Sequence, residues 1–194
     1  MFSRDTVARF QNLETPFYYY DLKLLDQTLM SCKLASEKFA FHVHYALKAN
    51  FNQQVLKAIE KVGFGADCVS GNEVKRAIEI GFDPGKVVFA GVGKSDREIN
   101  EALSHNIYCF NVESVQELGV INELAIKQGK KARVAIRINP NVDAHTHQYI
   151  TTGLEENKFG INQWELPACV EELKRCSNLE LIGIHFHVGS QITN

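Results

Sequence analysis

The sequence lacks the features that mark membrane, secreted and nucleic-acid-binding proteins. No apolar run approaches the roughly 18 residues that a bilayer-spanning helix needs, and residues 1–5 (MFSRD) lack the apolar stretch of a signal peptide. The 21 basic and 23 acidic residues are interspersed, so the net charge is -2 and no basic stripe faces a phosphate backbone. We therefore expect a cytoplasmic protein that binds neither membrane nor nucleic acid.

Cysteine is scarce, and its spacing argues against paired use. The cysteines are Cys32, Cys68, Cys109, Cys169 and Cys176. An odd number without a C-x-x-C pair disfavours both a disulfide framework and a zinc site. We expect reduced, mostly buried thiols. Repeats and low-complexity tracts are also missing, and 194 residues that are 45% hydrophobic are ordinary for one globular domain.

Predicted strands and helices alternate along the chain. Short runs rich in β-branched and aromatic residues predict six buried strands, at 41–47, 64–69, 86–90, 107–112, 133–138 and 179–188. Helical spacing lies between them, at 52–62, 72–80, 95–104, 114–128 and 164–176. This alternation predicts an α/β protein with right-handed βαβ units and a parallel sheet, as in a doubly wound fold or a (β/α)8 barrel.

The ends of the strands favour the barrel. A dinucleotide-binding sheet would carry G-x-G-x-x-G after its first strand, and that motif is missing. Polar side chains instead follow nearly every strand, including Lys48, Asp67, Lys94, Glu113, Arg137 and His187. Barrel enzymes assemble their active sites at this end of the sheet. Because only six strands are visible, we predict a partial TIM barrel with six of its eight strands.

Lys48 is the first candidate for chemistry. It closes an apolar strand, and alternation places it on the same face as His44 and Ala46. Partial desolvation there would lower the pKa of the amine and favour the neutral form that attacks an aldehyde. Taken alone, however, the pattern favours an ordinary strand-end lysine whose charged end reaches water.

Six segments, in the expected order, resemble the alanine-racemase-like (fold-type III, group IV) barrels that bind pyridoxal phosphate. Segment 45–50 (YALKAN) is similar to their Y-A-x-K-A-N, and 65–73 (GADCVSGNE) to their G-x-D-x-x-S-x-x-E. The other segments are 89–95, 111–114, 137–140 and 186–191. Residues 139–161, which include HTHQYITTG and KFGI, are similar to the loop after the fifth strand of diaminopimelate decarboxylases.

This resemblance implies roles for individual residues. Lys48 would bind pyridoxal 5'-phosphate covalently, and Lys48 and His187 would be the catalytic residues. The histidine would stack on the cofactor ring, and Gly189 and Ser190 would lie near its phosphate. The full implied set of cofactor-binding residues is Lys48, Asp67, Arg137, His187, Gly189 and Ser190, and no metal is implied. Lys158 matches a lysine that reaches toward the subunit interface in relatives.

The resemblance also implies an activity and an organisation. A complete, homodimeric enzyme of this kind would decarboxylate meso-diaminopimelate to L-lysine. Residues 1–25 would form an extended segment leading to a second β-domain, and residues 26–194 an incomplete barrel. The last two strands and the glycine-rich phosphate loop have no counterpart in 194 residues, so we expect a fragment that is inactive alone. The alternatives are a decarboxylase for ornithine, arginine or carboxynorspermidine, and a non-catalytic single-domain pyridoxal-phosphate carrier.

A metal-dependent hydrolase is the rival enzyme class. Three H-x-H pairs occur, and such a pair on the first strand of a barrel can bind a catalytic metal. The pair His42 and His44 lies four to six residues before the polar strand end, too deep for a site at the top of a barrel. We therefore expect histidines that either pack in the core or support neighbouring site residues there. We also expect Glu113 on a solvated face and Trp164 in a packed position.

Overall fold

The computed structural model describes residues 2–140 and 159–189. Its strands are β1 (His44–Ala46), β2 (Gly65–Cys68), β3 (Val87–Phe89), β4 (Cys109–Val112), β5 (Ala132–Arg137) and β6 (Leu179–His185). All neighbours are parallel, and the strand order follows the sequence from β1 to β6 without a reversal. A doubly wound sheet reverses its order at a switch point, so the barrel-type prediction is confirmed. Within the described residues β1 and β6 are not paired, and the barrel is open.

Seven α-helices lie in the described ranges. They are α1 (Arg4–Phe10), α2 (Leu22–Lys38), α3 (Gln53–Lys61), α4 (Gly71–Ile80), α5 (Asp96–Ser104), α6 (Val115–Lys127) and α7 (Leu166–Arg175). The five helical segments predicted between the strands agree with α3 to α7 within two residues. No helix in the described part of the chain combines the length and the apolarity that a membrane crossing requires.

The helix α1 lies within the segment that we expected to be extended. The Ser3 side chain caps it by accepting a hydrogen bond from the Thr6 backbone N–H. None of its residues is buried, and the Phe10 ring packs in an aromatic cluster, with its centre 5.1 Å from that of Tyr19 and 5.2 Å from that of Phe2. The helix therefore lies apart from the core of the sheet.

The core fills the space between the sheet and its covering helices. Val87 and Phe89 of β3 and Phe110 of β4 are at most 2% exposed, and they belong to the same apolar cluster as Leu56 of α3 and Ile121 of α6. Because side chains alternate across a strand, Val88, Cys109 and Asn111 turn toward the other face. That second face carries the polar side chains of the sheet.

A repeated capping motif begins three of the helices that follow strands. Ser70, Ser95 and Ser114 each cap a helix by accepting a hydrogen bond from the backbone N–H of a glutamate three residues later. The glutamates, Glu73, Glu98 and Glu117, reach back to the backbone N–H groups of Val69, Ser95 and Glu113 respectively. Glu73 and Glu117 thus tie the first turns of α4 and α6 to the residues that directly follow β2 and β4, whereas Glu98 closes the cap of α5 on Ser95 itself.

Candidate active site

The carboxyl ends of β4, β5 and β6 present charged residues in one row. Val112 is level with Ile136, and Arg137 is level with His185. Glu113, which follows Val112, therefore falls in the same row as Arg137 and His185, and on the same face of the sheet. Residues far apart in sequence meet here because consecutive parallel strands place their carboxyl ends along one edge.

Arg137 is held by a buried ion pair. Its Nη1 lies 2.8 Å from Oε1 of Glu113, and the two side chains are 12% and 3% exposed. The same carboxylate oxygen accepts a hydrogen bond of 2.8 Å from the Gly91 backbone N–H. The guanidinium also lies over the Phe159 ring, 5.5 Å from its centre. These contacts fix the guanidinium in one place at the sheet edge.

A second buried ion pair adjoins the first. Nζ of Lys94 lies 2.6 Å from Oε1 of Glu117 and donates to the carbonyl oxygens of Gly91 and Asn111, each at 2.8 Å. The Lys94 side chain is 1% exposed. The other carboxylate oxygen of Glu117 accepts from the Glu113 backbone N–H at 2.8 Å. Backbone and side chain of Glu113 therefore connect the two pairs into one network.

The expectation that Glu113 lies on a solvated face is wrong. It rested on the general preference of glutamate for water. The alternation of β4 instead directs this side chain to the polar face of the sheet, where it is buried beside Arg137. The signal that could have found Glu117 is the S-x-x-E motif that starts α6. Trp164 also differs from the expectation, since it is 63% exposed rather than packed.

Lys48 lies at the predicted edge but in a different setting. The strand β1 ends at Ala46, and Lys48 is part of a 3-10 turn over Leu47–Ala49, so the predicted alternation does not extend to it. Its side chain is exposed rather than partly desolvated. The physical reason is that β1 has a strand neighbour on one side only within the described residues.

The charge of Lys48 is felt by Asp67 and His187. Burial is the largest influence on Asp67 and raises the pKa of its carboxyl group, while the Lys48 and Arg137 charges oppose that rise. Burial lowers the pKa of His187, and the charges of Arg137 and Lys48 lower it further. The four predicted residues Lys48, Asp67, Arg137 and His187 thus share one electrostatic neighbourhood. The half-buried Gly189 follows β6, whereas Ser190 and Lys158 lie outside the described residues.

Residues 25–194 match the family described as "Pyridoxal-dependent decarboxylase, pyridoxal binding domain". The chain belongs to the pyridoxal-dependent decarboxylase family. A curated diaminopimelate decarboxylase from Bacteroides thetaiotaomicron is 54% identical over 96% of this chain and 48% of its own length.

Two solved diaminopimelate decarboxylases that are described as complexes with L-lysine have the same fold. The Helicobacter pylori enzyme has a TM-score of 0.88 at 44% identity, covering 97% of this chain and 48% of its own. The M. jannaschii enzyme has a TM-score of 0.87 at 34% identity, covering 97% and 45%. The chain thus spans about half the length of the relatives it matches.

The cofactor of the pyridoxal-dependent decarboxylase family is pyridoxal phosphate, and the residues at the carboxyl edge fit it. The Lys48 amine is exposed and therefore accessible to an aldehyde. The lowered pKa of His187 keeps its imidazole uncharged at neutral pH, which suits a ring stacked on a pyridine. Both charges of the buried pair between Arg137 and Glu113 are matched, so this part of the edge is structured before any ligand arrives.

The first H-x-H pair lies at the opposite edge of this decarboxylase domain. His44 starts β1, and His42 and His44 line a cavity of about 560 Å³ at the amino ends of the strands, together with Lys33, Lys86 and Tyr108. Burial is the largest cause of the lowered pKa of His44. Across residues 2–140 and 159–189, no three histidine, cysteine or acidic side chains are grouped so as to hold a metal ion.

Proposed function

We propose that this chain provides the cofactor-bearing half of a pyridoxal-phosphate-dependent decarboxylase that converts meso-diaminopimelate to L-lysine, with Lys48 as the residue that binds the cofactor. The observation that carries the proposal is the shared electrostatic neighbourhood of Lys48, Asp67, Arg137 and His187 at the carboxyl edge of a parallel sheet. An accessible amine in the same electrostatic neighbourhood as a neutral imidazole suits an aldehyde cofactor with an aromatic ring.

Each residue has a proposed task in this reaction. When bound, the cofactor takes up the electron pair that remains after CO2 leaves the amino acid. His187 would stack on the cofactor ring. Nζ of Lys48 would hold the cofactor aldehyde and would move a proton at the carbon that loses CO2. Arg137, fixed by Glu113, contributes positive charge beside the cofactor. Gly189 and Ser190 are proposed to lie at the phosphate.

The choice of diaminopimelate is supported by the relatives and by one loop. Curated relatives at up to 54% identity are named diaminopimelate decarboxylases, and residues 139–161 resemble the loop of that subfamily. Ornithine and arginine are the competing substrates. Release of CO2 from diaminopimelate, ornithine and arginine, measured with a polypeptide that has the full length of these relatives, would separate them. Faster release from ornithine or arginine would contradict the proposal.

Assembly and location are further parts of the proposal. We propose a homodimer, because the resemblance to the diaminopimelate decarboxylases implies that the partner subunit completes each site. We also propose a cytoplasmic location, since all five cysteines are free thiols and unpaired thiols suit a reducing compartment. Sedimentation of the full-length polypeptide would test the dimer, and a monomer that retains full activity would contradict it.

The role of Lys48 can be tested directly. We expect pyridoxal phosphate followed by borohydride to leave a stable label on Lys48, which peptide mass spectrometry would locate. Lys48→Arg should abolish the label. Lys57→Arg is the control: it changes an exposed lysine on the neighbouring helix α3 and should retain the label. Labelling at other lysines in the Lys48→Arg protein to the same extent would refute the assignment. A non-catalytic carrier would take the label at Lys48 but would release no CO2 in the full-length form.

A further inference from the structure

One oxygen of the buried Glu113 carboxylate has no donor in the described part of the chain. The side chain is 3% exposed, and Oε1 accepts from both the Gly91 N–H and Nη1 of Arg137. Oε2 is buried and accepts from no described residue. Buried carboxylate oxygens in native proteins nearly always have a donor, because an unpaired one has lost its hydration without replacement. This oxygen therefore calls for a partner close by.

A candidate partner is an imidazole nitrogen that also lacks a hydrogen-bond partner. Nδ1 of His185 is also buried without a hydrogen-bond partner among the described residues. Arg137 is level with His185 in the sheet, and Glu113 follows the residue that is level with Ile136, so the acid and the imidazole flank Arg137 in one row. The Glu113 charge raises the pKa of His185, which places the two side chains within electrostatic range.

We propose that Glu113 is a positioning residue whose two oxygens serve two side chains: Oε1 holds Arg137, and Oε2 accepts a direct hydrogen bond from Nδ1–H of His185 once the two side chains approach each other. Glu113 thereby selects the tautomer of His185 that carries its proton on Nδ1 and leaves Nε2 as an acceptor. A neighbouring acceptor fixes imidazole tautomers in the same way in catalytic and metal sites.

The arrangement deepens the proposed function, on which its catalytic meaning rests. His185 is the last residue of β6 and His187 follows two positions later, where its charge contributes to the lowered pKa of His185. The buried carboxylate of Glu113 would then orient both Arg137 and His185. These two side chains interact electrostatically with His187, the proposed cofactor-stacking residue. The tautomer of His185 can be measured without cofactor. Its outcome is therefore independent of whether Lys48 takes the pyridoxal-phosphate label.

The tautomer is observable by nitrogen NMR, because protonated and unprotonated ring nitrogens have well separated chemical shifts. We expect the 15N-labelled chain at pH 7 to show His185 as a neutral ring with the proton on Nδ1. The resonances are assigned by their loss in His185→Gln. A neutral ring with the proton on Nε2, or a charged ring, would overturn the proposal without any further variant.

The variant Glu113→Gln gives a sharper outcome. Its carbonyl oxygen must face the two donors from Gly91 and Arg137, which leaves the amide NH2 at the position of Oε2. An NH2 group donates, so it should convert His185 to the tautomer with the proton on Nε2. A folded Glu113→Gln chain in which the proton stays on Nδ1 would also overturn the proposal.

Glu117→Gln is the matched control. Glu117 belongs to the same network and its side chain is 14% exposed, but its oxygens bind Lys94 and the Glu113 N–H rather than His185. We expect it to lower stability and leave the tautomer of His185 unchanged. If Glu117→Gln changed the tautomer as much as Glu113→Gln, a general disturbance of the network would explain the effect and the specific role of Glu113 would be refuted. If Glu113→Gln did not fold, the tautomer of the unaltered chain would decide.

Discussion

The paired charges of Lys94 and Glu117 allow a direct test of how burial determines the value of an ion pair. The chain contains a second pair, Glu123 and Lys127 on α6, with the same N–O distance of 2.6 Å. The Lys94 and Glu117 side chains are 1% and 14% exposed, whereas those of Lys127 and Glu123 are 62% and 67% exposed. The two ion pairs therefore have the same N–O distance and differ in their exposure to solvent.

We expect Glu117→Ala to destabilise the chain by roughly 3–5 kcal/mol, the usual cost when one member of a buried pair is removed and the other charge stays behind. Lys94 would keep the carbonyl oxygens of Gly91 and Asn111, which do not neutralise its charge. The substitution also removes the acceptor for the Glu113 N–H. For a urea m-value of about 2 kcal/mol/M, the midpoint should fall by roughly 2 M.

Urea unfolding followed by circular dichroism is the assay, with Glu123→Ala as the control on the same helix. The control should move the midpoint far less, because water screens the exposed pair and solvates the lysine that remains. The double variant Lys94→Met with Glu117→Gln should lose less stability than Glu117→Ala, since no buried charge is left unpaired. Equal midpoints for Glu117→Ala and Glu123→Ala would refute the reasoning.

Two further predictions concern the backbone and pH. Gly91→Ala should destabilise the chain by about 1–3 kcal/mol, because Gly91 has a φ of 108° and a Cβ there would lie 3.1 Å from the Val69 carbonyl oxygen. Gly93→Ala is the control and should leave stability unchanged, because its Cβ would meet nothing within 4 Å. Equal melting temperatures for the two variants would contradict the prediction. Burial lowers the pKa of His185 from 6.5 to about 4, so the unfolded chain binds more protons between these values and stability should be lost as the pH falls from 6.5 toward 4. The lowered pKa values of His44 and His187 act in the same direction. His185→Gln should flatten the slope of unfolding free energy against pH, and an unchanged slope would count against the buried neutral imidazole.

The pattern of apolar runs was sufficient to predict the order and type of the sheet elements. All six strands and the five helices between them appear where periodicity placed them, because period-2 and period-3.6 burial are local properties of the chain. The short helix α1 was not predicted. It buries no residue in the core, so no apolar periodicity marks it.

Lys48 shows where local reasoning stops. Its position after the first strand was readable from the sequence, but its 3-10 turn and its exposure were not. Exposure depends on how many strands flank β1, which no local pattern records. The identity of the neighbours Asp67, Arg137 and His187 came from the resemblance to a known family, and their shared electrostatic neighbourhood came from the structure.

By itself, the sequence determined the alternation of strands and helices, the polar residues at the strand ends and the segments that resemble a decarboxylase. Only the tertiary structure decided that Glu113 is buried against Arg137 and that Lys94 is buried against Glu117. The physical reason is that the environment of a charge depends on long-range strand register. A glutamate has the same local pattern whether water or a guanidinium 24 positions away solvates it.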